Sequence, residues 1–144
     1  MYKHLLIATD GSSVGQKAVD HGLALAKTVG AKVTVVTVTE MWSAFDMAGQ
    51  GLAKIETYEA AAAQSANKIL AAVSSAANAA GVACETVHVK DSAPAAGIVA
   101  EAERLGCDVI VMGSHGRRGL NRLLIGSHAN EVVTHAKIPV LVCR

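Results

Sequence analysis

Short apolar runs alternate with stretches of helical period along this chain. Residues 4–8 (HLLIA), 32–38 (KVTVVTV), 83–89 (ACETVHV) and 109–112 (VIVM) are β-rich, and a fifth run, PVLVC, ends at Cys143. Between the first two runs, Ala18, Val19, Gly22, Leu23 and Ala26 fall on one helical face; Ser12 or Ser13 suits the N-cap and Gly30 the stop. A longer helix carries the stripe Ala62, Ala66, Ile69, Val73, Ala76 and Ala80 and ends at Gly81. A third follows Asp91-Ser92-Ala93-Pro94, where Asp91 or Ser92 can cap and Pro94 suits the first turn; it buries Ala95, Ile98, Val99, Ala102 and Leu105 and closes at Gly106. The last helix begins at or just after Gly126-Ser127, buries Ala129, Val132, Val133 and Ala136, and is barred from continuing by Pro139. Residues 39–51, with Trp42, Phe45, Met47 and two glycines, fit neither period and are expected to form a loop or lid.

Strands that alternate with helices imply parallel pairing through crossover connections. The expected fold is α/β: a single doubly wound five-stranded parallel sheet with helices on both faces, Rossmann-like or flavodoxin-like, strand order 3-2-1-4-5. In such a sheet ligands sit beyond the carboxyl ends of the strands where the order reverses. That rule selects the loop after strand one, Thr9-Asp10-Gly11-Ser12, and the loop after strand four, GSHGRRGLNRLLIGS.

At 144 residues the chain suits one domain, 1–144, with a sizeable core. Apolar residues make up 51% and aromatic ones 3%, so Val, Ile, Leu and Ala must build that core. Thirteen basic against twelve acidic side chains leave a net charge of +1, which gives no global attraction to nucleic acid or anionic membrane. No signal-peptide pattern opens the chain and no apolar stretch approaches the roughly 18 residues needed to span a bilayer, so a soluble cytoplasmic protein is expected. Cys84, Cys107 and Cys143 show no C-x-x-C spacing and read as buried thiols, and the six histidines form no metal-binding pattern.

The candidate chemistry is therefore local. In the loop after strand four, Gly113, Gly116 and Gly126-Ser127 offer positive φ or a close main-chain approach, and the helix start adds free N–H donors at the positive end of a dipole. Ser127 can donate a further hydrogen bond, and Arg117, Arg118 and Arg122 can bring positive charge. Asp10 can accept from ribose or adenine or hold a phosphate-bridging Mg²⁺; equally, it can cap the first helix or the turn before it. His115 and His128 flank the loop without a neighbouring nucleophile or acid pair. Neither a P-loop nor a G-x-G-x-x-G fingerprint occurs, and Ser114 and Ser127 lack the G-x-S-x-G elbow of an esterase.

With HLLIATDGS, GAKVTVVTV, DVIVMGSHGRRGLNRLLIGS and IPVLVCR, nearly the whole chain resembles the universal stress protein family. The family's nucleotide-binding pattern G-x2-G-x9-G-[ST] is met in full by Gly113, Gly116, Gly126 and Ser127, which points to the ATP-binding branch. The resemblance implies that Asp10 and the main chain of Ala8 and Thr9 border adenosine, and that Val38 supports the adenine. Met112 and Gly113 would lie along the ribose, with Gly116, Arg117, Gly126, Ser127 and the His128 main chain on the phosphates. It also implies ATP, with or without Mg, as cofactor, and a homodimer through the last strand, from Pro139 to Arg144. Ala8 departs from the proline common in the family. His128 departs from a β-branched apolar residue, a change that would make phosphate affinity pH-dependent.

Three functions follow from these residues. One is an ATP-binding homodimeric stress-response protein, a sensor or regulator with at most slow hydrolysis and an unknown protein partner. Another is a hydrolase or nucleotidyl-transfer enzyme using Asp10, a metal and a histidine. The last is an interaction module independent of nucleotide.

Overall fold

The parallel pairing expected of the apolar runs is realised in a computed structural model, which describes residues 1–91, 93–116 and 125–144. The chain runs β1 (His4–Ala8), α1 (Ser13–Val29), β2 (Lys32–Glu40), α2 (Ala44–Met47), α3 (Leu52–Ala80), β3 (Cys84–Asp91), α4 (Pro94–Leu105), β4 (Val109–Gly113), α5 (Ser127–His135) and β5 (Val140–Cys143). All strand pairs are parallel, in the order β3-β2-β1-β4-β5. Of the two fold types expected, this order is the Rossmann-like one, since the flavodoxin order places strand two at the edge.

Each residue of β1 is buried, and successive side chains serve opposite faces. Leu5 and Ile7 join Val33, Val35, Val109 and Val111 under α1 and α3, whereas Leu6 and Ala8 join Val36, Ile110 and Met112 under α4 and α5. The period of two thus divides one strand between two cores. Ser12 caps α1 by accepting from Gly15 N at 3.1 Å, and α1, α3 and α4 each end on a left-handed glycine, Gly30, Gly81 and Gly106.

Several local expectations need correction. Residues 39–51 are not a plain loop: β2 continues to Glu40, and Ser43 and Asp46 form a reciprocal capping box that starts α2. The buried stripe of α3 is Ala66, Leu70, Val73 and Ala77, so Leu70 and Ala77 replace Ile69 and Ala76. A run of alanines left the helix phase ambiguous by one position. Val133 on α5 is 48% exposed. Ala93 is the α4 N-cap and makes no side-chain cap, while Asp91 Oδ1 accepts from Ala93 N at 2.9 Å. Ser92 lies outside the described residues.

One buried and one half-buried polar pair bear on stability. His4 is buried, with Nε2 2.8 Å from Thr34 Oγ1; burial first, and Lys32 second, lower its pKa below the ordinary 6.5. Burial also lowers the pKa of His88, which sits 2.7 Å from Thr39 Oγ1. A histidine whose folded pKa is depressed contributes fully above its unfolded pKa. As the pH falls below that value the unfolded chain takes up the proton first, and stability declines. Melting temperature is therefore expected to fall between pH 7 and pH 5, and His4→Gln, which keeps a donor to Thr34, to flatten that slope. An unchanged slope would refute the assignment. At lower pH Asp108 adds to the loss, because its carboxylate accepts from Lys3 N and His4 N at 2.7 and 2.8 Å, which holds its pKa below the usual carboxylate value.

Burial pushes all three thiols up, Cys107 to about 11 with the Asp108 carboxylate as the next cause. At neutral pH Cys107 is therefore held as the thiol. Disulfide-exchange reagents are expected to label native Cys107 at least about a hundredfold more slowly than the unfolded chain. Equal rates would show that the site is open.

Candidate functional site

The order of the strands reverses between β1 and β4, and the chain beyond their carboxyl ends forms a cleft of about 750 Å³. Each element of the Thr9-Asp10-Gly11-Ser12 turn has a local task. Thr9 N donates to Val36 O at 3.0 Å, and Thr9 O accepts from the buried Thr37 hydroxyl at 2.7 Å. Thr9 Oγ1 accepts from Gly11 N at 3.2 Å and Asp10 Oδ1 from Ser12 N at 2.9 Å, while Gly11 takes φ +78° to close the turn. Asp10 thus does cap the turn before α1, and its other oxygen, Oδ2, faces Gly116, where an added Cβ would stand 3.1 Å away.

Of the two reasons expected for the glycines of the second loop, positive φ does not hold. None of Gly113, Gly116 and Gly126 has positive φ. What forbids a side chain is proximity of the chain to itself. A Cβ at Gly113 would meet Val14 Cγ1 at 2.8 Å and the Val14 carbonyl at 3.1 Å, so this glycine lets β4 touch the first turn of α1. A Cβ at Gly126 would stand 2.9 Å from Ser114 O, the atom that accepts from Gly126 N at 2.6 Å. Ser114 N donates in turn to Cys143 O at 2.6 Å. The loop therefore returns to the strand end it left, and this delivers the α5 N-terminus to the cleft.

Gly126 is the N-cap of α5 and makes no side-chain cap, so Ser127 opens the helix instead of capping it. Amides in a first helical turn have no carbonyl four residues back and are free to serve an anion. Apolar side chains, Val36, Val38, Pro94, Ile98 and Met112, form another part of the lining.

Ala8, Thr9, Asp10, Val38, Met112, Gly113, Gly116, Gly126, Ser127 and His128 all line this cleft. Arg117, Arg118 and Arg122 lie outside the described residues. Sequence reasoning missed Gly15, Val36, Glu40, Pro94, Ile98 and Ile125 as lining. Pro94 and Ile98 were legible as the first turn and buried face of α4, but only the packing of that helix on the sheet directs them into the cleft. His115 also lines it, with Nδ1 2.9 Å from Ser114 Oγ; its Nε2 is buried and has no hydrogen-bond partner among the described residues. No group of three or more His, Cys, Asp or Glu that could hold a metal occurs among the described residues.

The model of the universal stress protein family matches residues 1–144. The chain belongs to that family. A universal stress protein of Methanocaldococcus jannaschii is 33% identical over 144 residues, covering 100% of this chain and 83% of the relative. Among solved structures, hypothetical protein MJ0577 superposes with a TM-score of 0.84 at 27% identity, covering 99% of this chain and 96% of the other. A universal stress protein solved in complex with cAMP gives 0.74, also at 27% identity, over 99% and 97%. This universal stress protein fold accounts for the whole of β1 to β5. Among the described residues no helix is long and apolar enough to cross a membrane.

Proposed function

We propose that this universal stress protein binds an adenine nucleotide, ATP above others, in the β1–β4 cleft and acts as a homodimeric sensor or regulator in a stress response. One observation carries the reading. Two strand ends and the α5 N-terminus converge on one cleft whose lining combines apolar side chains with glycines and the start of a helix. The apolar lining suits a base, and the helix start suits phosphate. The relative solved with cAMP supports the nucleotide class.

Asp10 and Glu40 are the carboxylates lining the described cleft, and one Asp10 oxygen already accepts from Ser12 N. A Mg²⁺ would thus be held mainly by the nucleotide's own phosphates, with Asp10 as its protein ligand. Turnover is expected to be slow at most. His115 has one ring nitrogen beside Ser114 and the other buried, a poor arrangement for shuttling protons to a ligand.

Equilibrium binding with labelled ATP and Mg²⁺ tests the reading, with cAMP and AMP as competitors. Saturable binding of one ATP per chain is expected, with a rise in melting temperature. No saturation at millimolar ATP sinks the nucleotide reading. Tighter binding of cAMP or AMP removes ATP as the ligand, and multiple-turnover phosphate release favours the enzyme.

The dimer is proposed through β5, an edge strand with Leu141 41% exposed. An unpaired strand edge can be satisfied by its copy across a two-fold axis. Leu141→Lys is expected to convert a sedimenting dimer into monomer; a dimer that persists would move the interface elsewhere.

A further inference from the structure

Three of the four aromatic residues, Trp42, Phe45 and Tyr58, lie between residues 40 and 59. They belong to a hairpin of α2 and the first turns of α3. Trp42 stacks on Tyr58 with ring centroids 4.7 Å apart, and the Tyr58 hydroxyl donates to Glu40 O at 2.6 Å, so the hairpin is pinned at its base. Beyond the base, Phe45 is 87% exposed and Leu52 is 70% exposed. The buried residues of α3 begin only at Ala66, and its first fourteen residues, about 20 Å of helix, are all exposed or half-buried. Exposed apolar side chains gathered on one short segment mark an interaction surface more often than scattered ones do.

Charge selects the occupant. Residues 40–59 hold four acids, Glu40, Asp46, Glu56 and Glu59, and one base, Lys54, whereas the rest of the chain holds eight acids and twelve bases. Leu52, Ile55, Glu56 and Glu59 follow the spacing of one helical face, which sets apolar and acidic groups side by side. A second copy of the same surface would oppose acid to acid, and anionic lipid would be repelled.

We infer that the α2–α3 hairpin is a docking surface for a basic amphipathic segment of another protein, its apolar side chains seated on Phe45 and Leu52 and its cations on the acidic rim. This inference is independent of the nucleotide reading. Because Glu40 belongs both to the hairpin base and to the cleft lining, the surface lies beside that site.

Trp42 is the single tryptophan of the chain and reports directly on the hairpin. The test titrates the full chain with a Leu/Lys amphipathic helical peptide, a Leu/Glu peptide of the same apolar pattern, a Ser/Lys peptide without apolar groups, and phosphatidylcholine vesicles. Saturable binding of the Leu/Lys peptide alone is expected, with a Trp42 blue shift that weakens as salt rises. Phe45→Ser with Leu52→Ser, and separately Glu56→Lys with Glu59→Lys, should each weaken it by about tenfold or more. All four positions are solvent-facing or half-buried, so an unchanged melting temperature confirms that the variants remain folded. The inference is overturned if no peptide binds at millimolar concentration, if Leu/Glu or Ser/Lys binds as well, or if either variant binds normally. It is equally overturned if vesicles alone shift Trp42, or if Phe45→Ser with Leu52→Ser dissolves an oligomer of the protein itself.

Discussion

Gly126→Ala is expected to weaken ATP binding by at least about tenfold and to lower stability by about 1–3 kcal/mol. The residue has φ −63° and ψ 159°, which alanine adopts freely, so backbone strain contributes nothing. The effect is steric. The new methyl would stand 2.9 Å from Ser114 O, and the neighbour is main chain held by its own bond from Ser114 N to Cys143 O. Relief requires α5 to move away from the end of β4, which withdraws the helix N-terminus from the place where phosphates are proposed to sit. Alanine is also a poor N-cap. Ser127→Ala removes one hydroxyl and leaves this clamp intact, so its effect should be smaller. Calorimetry with ATP and thermal melts on both variants separate the two roles. A lower melting temperature with unchanged ATP affinity would show that Gly126 serves packing alone.

Gly22→Ala should be the costliest single-methyl addition in the core. In an exposed helix interior this change stabilises by up to about 1 kcal/mol. Here the added carbon would overlap Ile7 Cδ1 and stand 2.7 Å from Ile7 Cγ1. Ile7 is 0% exposed on the central strand β1, paired with β2 and β4, and has nowhere to retreat. Overpacking of about 1–3 kcal/mol therefore outweighs the propensity gain. Ile7→Ala alone should cost about 2–5 kcal/mol by leaving a cavity. The two changes should compensate, with the double variant losing less than the sum by about 1 kcal/mol or more. Urea unfolding of the four proteins measures this coupling, and strict additivity would contradict the contact.

Much of the site was legible because its parts are local in sequence. The glycine spacing, the placement of Asp10 after β1 and the helix start at Ser127 each follow from neighbouring residues, and the ten expected lining residues that the structure describes do meet at one cleft. The reason for the glycines was not legible. Sequence suggested positive φ, which none of the three adopts, and did not show that Gly113 is crowded by Val14 of α1 and Gly126 by Ser114. Such contacts depend on how α1 lies against β4, which no local pattern encodes. The hairpin of residues 40–59 was missed for a related reason. Its capping box at Ser43 and Asp46 stood in the sequence, but a four-residue helix has no period to detect.

The alternation of apolar runs and amphipathic stretches by itself determined the five strands, four of the five helices and the parallel pairing, because successive strands joined by crossover helices run the same way. It also determined that a cleft would open beyond the carboxyl ends of β1 and β4. Tertiary structure alone decided the phase of α3, the apolar lining of Pro94 and Ile98, the self-contacts of the glycines, and the outward projection of Phe45 and Leu52. Each is a question of distance between elements remote along the chain, and side-chain pattern carries period but not distance.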